Sequence, residues 1–319
     1  MGEVRGSYTE RRLGAAGRVR ELSTLLRDQR RNVAGRVSRT VAELERSRAE
    51  MERALGKPIE DLDMLVIGPG QQLLEMAYFG RTNRVTGIDL DVIPQRFSWA
   101  AYAQMLRRNG GIRALKTVGR KLAGVDRAVR RELYRQTGTR HAPHLDLIAM
   151  DATAMTFPDA SFDCVFSHSC FEHLAEPEAV IDHLARVLRP GGLAHIEVHL
   201  YTSDSGCHDV RIFAGRRSSI PPWSHLRPEH AGRVQPNSYL NRIRLDDWRD
   251  MFSRRLPATT FSYREDGTPS RRSELAALRD AGELDAFRDE ELLTVDLVAE
   301  WRKPREPEPT PSGAESRRE

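Results

Sequence analysis

At 319 residues, with 39% hydrophobic and 30% charged side chains and a formal net charge of +4, the chain can bury a sizeable core and is composed like a soluble protein. No apolar run approaches the roughly 20 residues that cross a bilayer, and the Arg-rich start lacks the apolar stretch of a secretory signal. Cys164, Cys170 and Cys207 cannot all pair within the chain and lack metal-ligand spacing, so reduced thiols, a cytoplasmic location and no metal site are expected.

Residues 10–55 read as helical. Leu22, Leu25, Leu26, Val33, Val37, Val41 and Leu44 recur at three- and four-residue steps, a stripe expected to pack on the domain. Gly56-Lys57-Pro58 ends it. The period then changes. Asp63–Ile67 is a short apolar strand running into Gly68-Pro69-Gly70, Leu73–Phe79 a helix, and Arg84–Asp89 a second strand. An insertion over 92–142 follows. Its residues 107–140 are strongly basic, with Ile112, Leu115, Val118, Leu122, Val125 and Val129 at near-helical spacing, so basic amphipathic helices are predicted. Leu145–Met150, Phe162–Ser167 and Leu193–Leu200 supply three more strands. Ala179–Leu188 is an amphipathic helix stopped by Arg189-Pro190-Gly191-Gly192. Leu245–Phe252 reads as helix, Thr259–Tyr263 and Leu292–Trp301 as the last strands, and 303–319 as a disordered tail. The alternation predicts an α/β fold over 58–302: a doubly wound, mostly parallel, seven-stranded Rossmann-like sheet with right-handed crossovers. Residues 1–57 are a helical extension, and the loops of 201–245 an acceptor site.

Ligands of open α/β sheets sit beyond the carboxyl ends of the strands. Gly68-Pro69-Gly70 lies at one such end, where glycines admit a ligand close to the backbone and a helix N-terminus favours a carboxylate. Asp89 closes the second strand, placed to accept from two ribose hydroxyls. Asp151 follows the third, placed to accept from an exocyclic amine such as that of adenine. A dinucleotide fingerprint needs a third glycine where Leu73 stands, and no Gly-Lys-Ser/Thr loop is present. A nucleoside ligand is expected, not NAD or ATP.

These residues resemble the class I S-adenosylmethionine-dependent methyltransferases, in their small-molecule branch. Val66–Gly70 looks like the family's first motif and Gly87–Asp91 like its second. Asp151-Ala152, Phe157–Asp159 and Ser161–Asp163 are similar to the third and fourth, followed by Phe171–Leu174 and Arg186–Gly192. The resemblance implies S-adenosyl-L-methionine as cofactor. It places Gly68, Gly70 and Gln71 under the methionine part, Asp89 on the ribose, Leu90 against the adenine, and Asp151 and Ala152 at its edge. Ser167 and His168 would line the sulfonium end. The chain departs from the family at Val66, where an acid is usual, and at Gln72; Gln71, Gln72 and Glu75 are candidate substitutes for the acid.

A hydroxyl acceptor needs a base for its proton, and histidine titrates near neutrality. His168, His199 and His208 are the candidate bases. Ser167-His168-Ser169-Cys170 replaces the Asn/Asp-Pro-Pro-aromatic signature of planar-amine methylation. A hydroxyl on a sugar, glycan or other small molecule is the expected acceptor, with Trp223, Tyr239 and Trp248 as stacking surfaces. N- or C-methylation of a lipid, polyketide or RNA, and a non-catalytic scaffold, are the alternatives. The basic segment 107–140 suits a lid, an anionic acceptor or an anionic membrane surface. No recognised nucleic-acid-binding module is present, so nucleic acid is not an expected partner.

Overall fold

The computed structural model describes residues 32–91, 118, 124–213, 219–236 and 238–305. Strands β1 (Asp63–Ile67), β2 (Arg84–Asp89), β3 (Asp146–Ala149), β4 (Phe162–His168), β5 (Leu188–His199), β6 (Thr260–Glu265) and β7 (Thr294–Arg302) form one sheet in the order β3-β2-β1-β4-β5-β7-β6. Neighbours from β3 through β5 pair in parallel, and β7 runs antiparallel between β5 and β6. The order reverses between β1 and β4, which is the switch point where such sheets bind ligands. The doubly wound, mostly parallel, seven-stranded sheet expected above is the one observed.

Strand β1 shows why the sheet is buried on both faces. Leu65 and Ile67 point into one apolar cluster, Met64 and Val66 into the other. Helices α1 (Val33–Leu55), α2 (Leu74–Phe79) and α3 (Val125–Gln136) cover the Met64 side. Helices α4 (Pro177–Val187) and α5 (Leu245–Arg255) cover the Leu65 side. Helix α1 starts at Asn32, whose side chain accepts from the Gly35 N–H at 3.1 Å. It stops at Gly56 with φ 68°, a left-handed cap that glycine adopts at little cost. Val37, Leu44, Met51 and Leu55 are its buried stripe, so the helix is part of the core. Leu22, Leu25 and Leu26 lie outside the described residues.

Helix α3 buries Val125, Val129 and Leu133 against α1 and α2 and exposes Arg127, Arg131 and Arg135, as a basic amphipathic helix should. Apart from Val118, residues 92–123 lie outside the described part. No helix among the described residues is long and apolar enough to cross a membrane.

Three local expectations are corrected. Arg189–Gly192 opens β5 as well as ending α4: Gly191 N–H donates to Lys303 O at 2.8 Å and Lys303 N–H to Gly192 O at 2.9 Å. The same pairing docks residues 303–305, so the described chain runs past 302. The stretch from Leu292 begins as helix α7 (Asp289–Leu293), and β7 starts only at Thr294. Asp289, Glu290 and Glu291 in the first turn of α7 suit the positive end of a helix, and Glu291 accepts from the Arg288 N–H at 2.8 Å. Helix α6 (Arg271–Asp280) was not expected at all; its one fully buried apolar side chain is Leu275, too little for a periodic signal.

Candidate active site

The chain turns sharply where β1 ends. Gly68 has φ 66°, and its N–H donates to Ile88 O at 2.9 Å. A Cβ on Gly68 would lie 2.3 Å from Cys170 Sγ, so no other residue fits. Gly70 has φ 62°, but among the described residues a Cβ there would meet nothing within 4 Å. One glycine is closed in by protein; the other faces space that no described residue fills, as a ligand cradle requires. Gln71 Nε2 donates to Asp91 Oδ2 at 3.2 Å, and the Asp91 N–H donates to Asp89 Oδ1 at 2.8 Å. The turn, Gln71 and Asp89 are therefore one connected edge. Beside them Leu90 is 51% exposed, the most exposed large hydrophobic side chain among the described residues. An apolar surface left in water at a strand end suits the face of a purine.

The Met150 N–H donates to Asp89 O at 3.0 Å and ties the end of β3 to β2. Asp151 follows and caps a short turn by accepting from the Thr153 N–H and hydroxyl at 2.9 and 2.8 Å, with Ala152 buried beneath. Gly68, Gly70, Gln71, Asp89, Leu90, Asp151 and Ala152 thus stand at the carboxyl ends of three adjacent strands, β1, β2 and β3. Glu75, in the first turn of α2, is a half-buried carboxylate whose pKa is raised by burial and pulled back by His168. Arg186 and Arg189 of the Arg186–Gly192 stretch are structural. Arg186 donates to the Met155 and Phe157 carbonyls and Asp159, holding the loop after Asp151. Arg189 joins Asp63 and Asp163 at 2.9 and 2.7 Å at the opposite end of the sheet.

Ser167 does not line the cleft. It is fully buried, and its hydroxyl donates to Ile67 O at 3.1 Å across β1 and β4. Trp223 and Trp248 are likewise core side chains; Trp223 donates its indole N–H to Leu292 O, so neither can stack on an acceptor. Tyr239 remains partly exposed.

The histidines do gather beyond β4 and β5. His168 closes β4, within electrostatic reach of Glu43, Glu75, Glu172 and Glu197. His199 closes β5, with Nδ1 3.0 Å from Asp296 Oδ1 and Nε2 3.0 Å from Ser205 Oγ. Burial opposes its protonation, but Asp296 and Glu172 outweigh it and raise the pKa. His208 packs edge-on against His199 and His173, with ring centres 5.0 and 4.8 Å apart. Burial and the neighbouring imidazoles push it down to about 2. Glu172, among these rings, is buried, and both its carboxylate oxygens lack a hydrogen bond among the described residues. Two triads of metal-ligating side chains occur among the described residues: Glu172 with His173 and His208, and Glu50 with His195 and Glu197. Sequence spacing hides both, because each joins segments far apart in the chain.

The sheet order is that of the Rossmann-like methyltransferase fold. Residues 108–196 match the family described as Methyltransferase domain. The match begins beyond Gly68 and Asp89 and takes in Asp151, β4 and most of β5. An uncharacterized methyltransferase of Mycolicibacterium vanbaalenii is 30% identical over 92 residues, 28% of this chain and 36% of the relative. A demethylmenaquinone methyltransferase of Renibacterium salmoninarum is 40% identical over 57 residues, 18% of this chain and 24% of the relative. An ajmaline N-methyltransferase of Rauvolfia serpentina is 28% identical over 123 residues, 36% of this chain and 42% of the relative. The chain thus spans less than half the length of these relatives.

Proposed function

We propose that the chain transfers a methyl group from S-adenosyl-L-methionine to a hydroxyl on a sugar, glycan or other small molecule. One observation carries the reading: an open glycine turn and two carboxylates stand at the ends of three adjacent strands beside the switch point. The open space at Gly70 and the bare Leu90 side chain fit a nucleoside with an amino-acid tail. When bound, the cofactor supplies a methyl already activated by its sulfonium, so the protein must align a nucleophile and receive its proton.

The residues divide that work. Gly68 and Gly70 let the methionine part lie on the backbone. Glu75 takes the place of the acid missing at Val66 and holds the amine. Asp89 accepts from the ribose hydroxyls, Leu90 covers the purine, and Asp151 with Ala152 reads its edge. His199 is the base. Asp296 holds Nδ1–H and leaves Nε2 to draw the acceptor proton through the Ser205 hydroxyl. His208 is too weak a base for that role at neutral pH. The basic residues of 107–140 draw an anionic acceptor or membrane surface; Arg127, Arg131 and Arg135 are exposed on α3.

The demethylmenaquinone relative favours a second reading, methylation of a compound of the demethylmenaquinone kind at a site other than a hydroxyl. Radiolabelled cofactor separates the two. Label is expected on saccharide or other hydroxyl acceptors, with His199→Gln lowering kcat about 10²–10⁴-fold and leaving cofactor binding intact. Label on a demethylmenaquinone-like compound at such a site or on amines alone, with every hydroxyl acceptor untouched, would overturn the preferred acceptor.

A further inference from the structure

We propose that Glu172, His173 and His208 bind one divalent first-row metal ion, of the zinc type, at the acceptor end of the cleft. Glu172 is 2% exposed, and among the described residues neither of its oxygens accepts a hydrogen bond. A buried carboxylate in that state is strongly disfavoured unless a charge compensates it. Among the described residues its ion-pair neighbours within 4.0 Å are imidazoles: His173 Nε2 at 3.8 Å and His208 Nε2 at 3.9 Å from Oε1. The ligand atoms of all three residues lie within 4.8 Å of one another.

The orientation of His173 is decisive. Its Nδ1 lies 2.7 Å from Tyr239 O. A carbonyl only accepts, so Nδ1 carries the proton and Nε2 of the neutral ring turns its lone pair toward Glu172. A lone pair facing a carboxylate needs a positive charge between them. A proton would serve one such pair; a divalent ion serves all three donors. His208 is held there by left-handed backbone, φ 50°, which a non-glycine residue adopts only at a cost.

The second triad lacks this need. Glu50 and Glu197 are already met by the Arg264 guanidinium at 2.9 Å, and Glu197 also by Ser47 and His195. Two nitrogens and one carboxylate are the donors of open zinc-type sites, whereas magnesium prefers oxygen alone. Tetrahedral donors sit about 3.4 Å apart, so from separations of 3.8 Å to at most 4.8 Å the side chains need to close by about 0.4 to 1.4 Å. His173 keeps partial exposure, which leaves a coordination position for an acceptor oxygen. Cys170, two residues before Glu172, abuts Gly68, so that oxygen would stand beside the donor end of the cleft. This last consequence rests on the methyl-transfer reading; the metal site does not.

Titrating Co2+ into the metal-free full chain tests the site directly. Visible d–d absorption should grow and saturate at one ion per chain. Glu172→Gln and His173→Gln should each weaken it by more than about 100-fold while circular dichroism remains native. Absence of saturating bands in the folded chain, or bands unchanged in folded Glu172→Gln, would overturn the proposal. S-adenosylhomocysteine binding by the metal-free chain, measured in parallel, reports on the methyl-transfer reading alone.

Discussion

Two glycines two residues apart do different work, and substitution separates them. Alanine at Gly70 must hold φ near 62° but meets no atom of the described residues, so it should cost about 1–2 kcal/mol and a few degrees in Tm. Its methyl would project into the cleft and should weaken S-adenosylhomocysteine binding at least tenfold. Alanine at Gly68 would meet the Cys170 thiol at 2.3 Å and should unfold at a markedly lower temperature. Thermal melts with and without ligand check both; equal Tm losses with unchanged ligand protection would contradict the assignment. Gly68, Asp89 and Asp151 were legible because position at a strand end is a property of local sequence. Ser167, Trp223 and Trp248 were misread because the direction of a side chain is set by packing across strands and loops. Glu172 stood in a recognised motif, yet its lack of partners is a three-dimensional fact.

Helix α1 is joined to β5, β6 and β7 by a buried charge network. Glu50 and Glu197 flank Arg264, and His195 bonds Glu197 and Glu300 at 3.0 and 2.9 Å. Burial opposes a charge on His195, but these two carboxylates, with Glu50 at 3.9 Å, outweigh it and raise the folded-state pKa. A raised histidine pKa stabilises the fold fully below the unfolded value of about 6.5 and ceases to as pH climbs through the folded value. Tm should therefore fall by several degrees across that window, and His195→Gln should flatten the slope. Parallel pH profiles for the two proteins would refute this. A third apolar cluster buries Trp223 with Leu275, Leu284, Leu292 and Leu293. Buried Arg271 stacks on Trp223 and pairs with Asp266 at 2.7 Å. Trp223→Ala should cost about 3–5 kcal/mol by denaturant titration; a loss under about 1 kcal/mol would place the ring in the acceptor site after all. Helix α6 escaped the sequence reading because this satellite core comes from four separate segments.

At the scale of the molecule, the strand order brings β1, β2 and β3 side by side with their carboxyl ends in one direction. Most strands were legible to within a residue or two, since a fully buried strand such as β1 is a short apolar run between polar turns. The histidine cluster was not, because it is assembled from β4, β5, β7 and the segment around His208. The proposed cofactor site depends on Gly70, Asp89 and Asp151 standing together at the ends of β1, β2 and β3. Calorimetric titration of S-adenosylhomocysteine into the full chain tests that most directly. It should bind saturably, one per chain, and Asp89→Asn should weaken it about 10–100-fold by removing a charged acceptor from the ribose. A folded chain that takes up no ligand at millimolar concentration, or an Asp89→Asn variant that binds as tightly as the parent, would contradict it.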